Sequence, residues 1–176
     1  MTKRLTKIGV NPDFQELSSF VHELPTVFET GGKVIYKGRN ELKEFDVEGK
    51  KLIVKSYQLP HLLNRIIYNF FRASKAKRSY SYALMLRKLG IGSPAPVGYY
   101  STGSWLLFGR SYFVCLKSDC PYTYRDFEKT VFPNQEQILR AIARTTAMLH
   151  ENGLLHKDYS AGNILFRTID EKVEVE

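Results

Sequence analysis

A short polar loop lies near the end of the chain, between a helical pattern and an apolar strand. It reads His156-Lys157-Asp158-Tyr159-Ser160-Ala161-Gly162-Asn163, and Ile164-Leu165-Phe166 follows at once. An aspartate five residues before an asparagine can orient an acceptor hydroxyl and take its proton, while the asparagine oxygen ligates Mg²⁺ on phosphates. The loop therefore predicts phosphoryl transfer, with Asp158 as catalytic base and Asn163 as magnesium ligand. We interpret His156 as a residue that fixes the loop backbone.

The composition fits a folded chain with an anionic partner. Of the 176 residues, 43% are hydrophobic and 13% are aromatic, which is enough for a packed core. The net charge of +8 favours a nucleic acid, a nucleotide, a phospholipid or a phosphorylated glycan as partner. No apolar run approaches the roughly 20 residues of a membrane span, and no signal-peptide pattern follows Met1. We therefore expect a cytoplasmic chain.

Three strand-like runs occupy residues 33–37, 41–47 and 51–57, with turns at Gly38-Arg39-Asn40 and Glu48-Gly49-Lys50. Before them, Asn11-Pro12 begins a short helix that should stop before Pro25. After them, helical periodicity appears over residues 62–71 and again over 75–89, where Gly90 ends the helix. The runs 97–100, 105–108 and 111–116 predict further strands.

A long helix and a last strand complete the predicted order of elements. Asn134 with Gln137 predicts a capping box at the start of that helix, and Asn152-Gly153 predicts its end. Residues 172–176 predict the strand. The order indicates an α+β, protein-kinase-like fold: an N-terminal extension with a short helix over 1–30, an antiparallel-sheet small lobe over 31–116, and the incomplete start of a mainly helical large lobe over 117–176.

Nucleotide-binding candidates lie in the three-strand region. Lys55 ends an apolar strand, as does the lysine whose ammonium group contacts the α- and β-phosphates in kinases, although a strand lysine is more often a solvent-facing residue. Gly38 and Arg39 are candidates to cover the phosphates, but their turn falls short of G-x-G-x-x-G and can equally be an ordinary hairpin turn. Residues 75–89 contain no acidic partner for Lys55. Either an acid elsewhere orients this lysine, or packing alone does so.

Basic residues are concentrated in the helical region that follows the three strands. This concentration is either a solvated helix face or a patch that faces an anion. The apolar stripe over residues 62–71 either packs on the sheet or rests against anionic lipid. The basic residues are Arg65, Arg72, Lys75, Lys77, Arg78, Arg87 and Lys88.

Three stretches of the chain resemble one known family: residues 149–158, Ser160-Ala161-Gly162-Asn163-Ile164-Leu165, and the connector Gly90-Ile91-Gly92-Ser93-Pro94-Ala95-Pro96-Val97. Through them the chain, from about Gly31 to its end, resembles the lipopolysaccharide kinase family, the Kdo and heptose kinases of Gram-negative bacteria. It implies ATP and Mg²⁺ as cofactors and a sugar hydroxyl of the lipopolysaccharide inner core as acceptor. It also implies a lipid-linked glycan partner at the cytoplasmic face of the inner membrane, where the chain would be peripheral, and no nucleic-acid partner.

The chain departs from this family after the strand that begins near Val173. Family members continue to a metal-binding aspartate, so we expect a truncated form that lacks a principal Mg²⁺ ligand. Ser160 stands where protein serine/threonine kinases usually carry lysine, which favours a non-protein acceptor. Two alternatives stay open: another small-molecule phosphotransferase of the aminoglycoside or choline type, and a non-catalytic pseudokinase that binds nucleotide or membrane.

Overall fold

The computed structural model describes residues 5–58, 73–103, 108–170 and 172–176. Its described residues divide into two units, one within Met1–Leu84 and Ala95–Lys117 and the other within Met85–Pro94 and Ser118–Glu176. The helix predicted over 62–71 and most of the strand predicted over 105–108 lie outside the described residues. No helix among the described residues has the length and apolar character needed to cross a membrane.

An antiparallel sheet of six strands forms the frame of the first unit. Its strand order is β1-β5-β6-β4-β3-β2. The predicted meander is confirmed as β2, β3 and β4, because short turns join strands that are neighbours in sequence. The prediction missed β1, which pairs with a strand distant in sequence. The strands are β1 Leu5–Val10, β2 Lys33–Lys37, β3 Glu41–Val47, β4 Lys50–Tyr57, β5 Pro96–Gly103 and β6 Phe108–Leu116.

Helical segments between β1 and β2 cover one face of this sheet. They are a 3₁₀ helix over Pro12–Leu17, α1 over Ser18–His22 and α2 over Leu24–Thr30. Their buried side chains pack against buried side chains of the sheet: Leu17, Val21, Leu24 and Phe28 against Leu52, Val54, Val97, Tyr112 and Val114. The prediction that the helical segment ends before Pro25 is confirmed, because α1 ends at His22, but the prediction missed the separate helix α2 that contains this proline. A new helix can begin after the break at Glu23, because proline is tolerated in the first turn of a helix.

Helix α3 spans Lys75–Lys88, close to the predicted 75–89. It ends where Gly90 adopts a φ of +71°, and the amide of Ile91 donates to the carbonyl of Leu86 at 2.9 Å. This left-handed glycine satisfies the last carbonyls of the helix, as the sequence predicted.

The second unit packs a long helix against a small sheet of order β7-β8-β9. Phe166 and Ile138 are fully buried at its centre, with Phe127 and Phe132 packed against them. The capping box predicted at Asn134 is wrong: its side chain makes no capping bond and its amide donates to Thr168 Oγ1 at 3.3 Å. The elements are β7 Tyr122–Thr123, α4 Tyr124–Phe127, α5 Gln135–Glu151, β8 Leu165–Ile169 and β9 Lys172–Val175.

Candidate active site

Lys55 lies on the sheet face opposite the N-terminal helices. Its neighbour Val54 is buried against those helices, and successive strand residues point to opposite faces. Residues paired across strands share a face, so the strand register places Lys55 in a row that crosses the sheet. That row contains Tyr36, Leu42, Lys55, Phe113 and Tyr99.

Helix α3 packs on this same face. The Tyr57 hydroxyl and the Ser79 Oγ are 2.7 Å apart, and Tyr57 shares a face with Lys55 because the two are separated by one residue. The rings of Tyr80 and Tyr99 lie 5.4 Å apart, which adds a second contact. Burial raises the pKa of Tyr57, although its hydrogen bond to Ser79 opposes this. The first turns of α3 therefore lie over the Lys55 face.

Lys75 lies within electrostatic reach of three other cations at this position. Lys75 and Arg78 precede Ser79 in this helix by four residues and by one residue. Both therefore lie beside the contact between Ser79 and Tyr57. Burial, and then the charges of Arg39, Arg78 and Lys55, lower the pKa of the Lys75 ammonium group. We refer to Arg39, Lys55, Lys75 and Arg78 as the cation cluster.

Lys55 has no carboxylate within 4.0 Å among the residues that the structure describes. Its ammonium group lies 5.5 Å from the centroid of the Tyr57 ring. Glu44 shares this sheet face, but its Oε2 accepts from Lys117 Nζ at 2.8 Å. The sequence itself contains no aspartate or glutamate between Glu48 and Asp119. Of the two alternatives for orienting Lys55, the described contacts favour packing.

The turn with Gly38 and Arg39 joins β2 to β3, next to the strand that carries Lys55. A Cβ at Gly38 would meet the Tyr36 hydroxyl at 2.5 Å, so the Tyr36 ring folds back along the turn. The amide of Gly38 donates to the carbonyl of Asn40 at 3.0 Å. Gly38 thus allows the Tyr36 ring to approach the backbone of the turn. This packing role is additional to the predicted role of Gly38 in covering the phosphates.

The same turn borders a groove of about 610 Å³ on the face that carries the N-terminal helices. Lys43 and Arg110 line the groove, but both are already bonded. Lys43 donates to the carbonyls of Phe28 and Gly31 at 2.5 and 3.1 Å, and Arg110 is paired with Glu29. The groove also contains Arg39 of the cation cluster, and its two other cations, Lys43 and Arg110, are already bonded.

The catalytic-type loop brings two of the predicted residues together within the second unit. Asn163 Nδ2 donates to the backbone carbonyl of Asp158 at 2.9 Å, and the amide of Ser160 donates to the same oxygen at 3.0 Å. Among the described residues, neither the Asp158 carboxylate nor Asn163 Oδ1 accepts a hydrogen bond. Both side chains are exposed. The loop thus presents a carboxylate and an amide oxygen that are available to a substrate or cation.

Two neighbouring elements anchor this loop. The amides of Arg125 and Tyr124 donate to the carbonyls of Ala161 and Ile164 at 3.0 and 2.9 Å. The His156 ring packs edge-on against Tyr159, and the Tyr159 hydroxyl lies 2.9 Å from Thr146 Oγ1. A capping box between Thr123 and Asp126 starts helix α4. Sequence reasoning missed this anchor, although the Thr-x-x-Asp pattern signals it.

Replacing Thr123 with alanine should destabilise the second unit by about 1 kcal/mol, the usual cost of a lost helix N-cap. The change removes the hydroxyl that accepts from the amide of Asp126 at 3.3 Å and donates to its carboxylate at 2.8 Å. Urea unfolding measures the difference. Thr130→Ala is the control, since Thr130 is exposed and outside any helix or strand. Equal stability of the two variants would contradict a capping role.

No family model matches the chain, and no curated protein matches it. Among solved structures, the chain is similar to WaaP in complex with acyl carrier protein, with a TM-score of 0.65 and 17% sequence identity. The match covers 96% of this chain and 68% of that chain. The α+β, kinase-like fold predicted from the order of elements is therefore confirmed. At this identity the likeness shows the fold alone.

Proposed function

We propose that this protein is an ATP-dependent kinase that phosphorylates a sugar hydroxyl, a Kdo or a heptose, of the lipopolysaccharide inner core. The observation that carries the proposal is the loop in which Asn163 is bonded to the backbone of Asp158 within a kinase-like fold. WaaP, which shares this fold, is a lipopolysaccharide core heptose kinase. The loop supplies the chemistry, and the shared fold together with the family resemblance supplies the substrate class.

Each residue has a distinct role in this proposal. The Lys55 ammonium group contacts the α- and β-phosphates, and the turn with Gly38 and Arg39 covers them. The Asp158 carboxylate accepts the proton of the attacking sugar hydroxyl. Catalysis depends mainly on the positioning of the two reactants and on neutralising phosphate charge. The cation cluster fits a polyphosphate because the described residues give Lys55 no acidic partner.

The available oxygens fit Mg²⁺. The described residues contain no group of three or more histidine, cysteine, aspartate or glutamate side chains that could hold a metal by themselves. Magnesium in nucleotide enzymes usually takes only one or two protein oxygens, and phosphates and water supply the rest. Asn163 Oδ1 is the protein ligand that we propose, with the Asp158 carboxylate nearby. When bound, Mg²⁺ neutralises charge on the phosphates.

The acceptor in this proposal is lipid-linked, which places the protein at the cytoplasmic face of the inner membrane. The net charge of +8 supports a peripheral position there, because such membranes carry anionic lipids. A nucleic-acid partner is not part of the proposal.

The test is transfer of labelled phosphate from ATP with Mg²⁺ to lipid-linked inner-core glycan, with an aminoglycoside and choline as competing acceptors. We expect label in the glycan and none in the two small molecules, since the resemblance is to glycan kinases. Label in either small molecule instead of the glycan would show that the proposed substrate class is wrong, although the protein would still be a kinase.

A pseudokinase is the second candidate, and the lack of a carboxylate partner for Lys55 among the described residues favours it. In that case ATP would raise the melting temperature, yet no acceptor would receive phosphate. The transfer assay and a thermal-shift measurement on the same sample separate the two candidates.

A further inference from the structure

We propose that helix α3 provides Lys75 and Arg78 as direct phosphate-binding residues, so that four cations hold the nucleotide polyphosphate without requiring a metal ion. Kinases of known mechanism use a glutamate on the corresponding helix to pair with the phosphate-binding lysine. This chain has cations on that helix instead. The inference rests on the proposed function for the identity of the ligand, a nucleoside triphosphate.

The geometry depends on how helix α3 packs on the sheet. The 2.7 Å hydrogen bond between Tyr57 and Ser79 fixes which side of α3 faces the sheet. Lys75 lies one helical turn before Ser79, and Arg78 directly precedes it. Lys55 lies on the same face of the strand as Tyr57. Two helix cations and one strand cation therefore border the same space.

Arg78 gives an independent indication that a ligand belongs in this space. Its Nε atom is buried and has no hydrogen-bond partner among the described residues. An unpaired buried donor is costly, and such a group in a native protein calls for an explanation such as a ligand. The guanidinium group presents N–H donors in a planar fork that matches phosphate oxygens. A phosphate bound beside Arg78 would provide the missing acceptor.

Charge balance points to the same class of ligand. The other three members of the cation cluster repel Lys75 in the free protein, and burial together with their charges lowers the pKa of Lys75. The stretch between Glu48 and Asp119 contains no acid that could relieve this repulsion. Functional sites often keep such unfavourable arrangements at the expense of stability. A triphosphate brings the negative charge that the cluster lacks.

The experiment measures the affinity of AMP, ADP and ATP for the full chain by calorimetry in EDTA. The double variant Lys75→Gln/Arg78→Gln is compared with Lys77→Gln/Lys88→Gln, which removes the same charge from exposed positions of the same helix. We expect the wild type to bind ATP in EDTA and the first variant to lose about tenfold or more in ATP affinity. AMP affinity should change little, because the variant removes contacts to the outer phosphates. The control variant should resemble the wild type.

A second readout separates a binding role from a structural one. Removal of two mutually repelling cations should raise the melting temperature of the ligand-free protein while it reduces the increase that ATP produces. A lower melting temperature without ligand would assign Lys75 and Arg78 a structural role and overturn the proposal. Equal losses in both double variants, or no ATP binding by the wild type in EDTA, would overturn it as well. If the protein transferred no phosphate to glycan, only the proposed function would be wrong, because that result does not alter the measured nucleotide affinities.

Discussion

Replacing Asp158 with asparagine should lower the rate of phosphate transfer by about a thousandfold and leave ATP affinity nearly unchanged. Asparagine has the same shape but cannot accept the proton of the acceptor hydroxyl. The loop should keep its conformation, because Asn163 and Ser160 bond to the backbone carbonyl of Asp158 and not to its carboxylate. Steady-state kinetics, together with calorimetry of ATP binding, measure the two effects separately.

Asp170→Asn is the matched control for this experiment. Asp170 is also an exposed carboxylate of the second unit, and its φ of +45° is one that asparagine adopts readily. We expect the control to transfer phosphate at the wild-type rate. If Asp158→Asn were as active as the wild type, the assignment of Asp158 as base would be wrong, and with it the mechanism that we propose.

Replacing Phe166 with alanine should destabilise the second unit by about 3–5 kcal/mol, the usual cost of deleting a fully buried aromatic ring. Phe166 has no exposed surface, and its ring lies 5.4 Å from that of Phe132 and 5.6 Å from that of Tyr122. The neighbours of the ring belong to separate helices and strands, so they cannot easily move into the cavity that the substitution leaves. Urea unfolding measures the loss, and phosphate transfer should fall with it because β8 directly follows the catalytic-type loop.

Two further variants show whether the effect comes from the cavity. Phe166→Leu keeps most of the apolar volume and should cost about 1 kcal/mol. Tyr82→Ala removes an aromatic ring that is 57% exposed and should change stability by less than about 0.5 kcal/mol. A loss below 1 kcal/mol for Phe166→Ala would mean that this ring is not the centre of the core.

The parts of the fold that the sequence predicted correctly are those set by local signals. Strands β2, β3 and β4 follow one another with short turns, and Glu48 and Gly49 both adopt positive φ in the second turn. The end of helix α3 was predictable because Gly90 follows it and adopts a positive φ. The neighbourhood of Asp158 and Asn163 was also predictable, because the five-residue spacing on a loop allows the asparagine side chain to reach back to the backbone.

The features that sequence reasoning missed depend on contacts between distant segments. Strand β1 gains its order from β5, with which it pairs from Leu5 opposite Gly103 to Val10 opposite Gly98. Asn134 looks like a capping residue, but its side-chain oxygen caps no amide, and its Nδ2 donates to Thr168 instead. Both outcomes depend on tertiary partners that no local pattern specifies.

The cation cluster falls between these two cases. The sequence shows that Lys75 and Arg78 are basic and helical, and it leaves open whether they face solvent or an anion. The answer depends on the rotation of α3 about its axis, which the contact between Tyr57 and Ser79 determines. It also depends on the alternation along β4, which places Lys55 on the side that this helix covers.

The pairing of β1 with β5 has a consequence for protein synthesis. The first strand leaves the ribosome long before Pro96–Gly103, the segment to which it must be joined. The apolar side chains of the following helical segments, Leu17, Val21, Leu24 and Phe28, can meet β4 earlier, but their core partners on β5 and β6 are synthesised only with or after this segment. The nascent chain therefore exposes apolar side chains near its amino end through much of translation. Chaperones that bind such segments should determine the yield of folded protein.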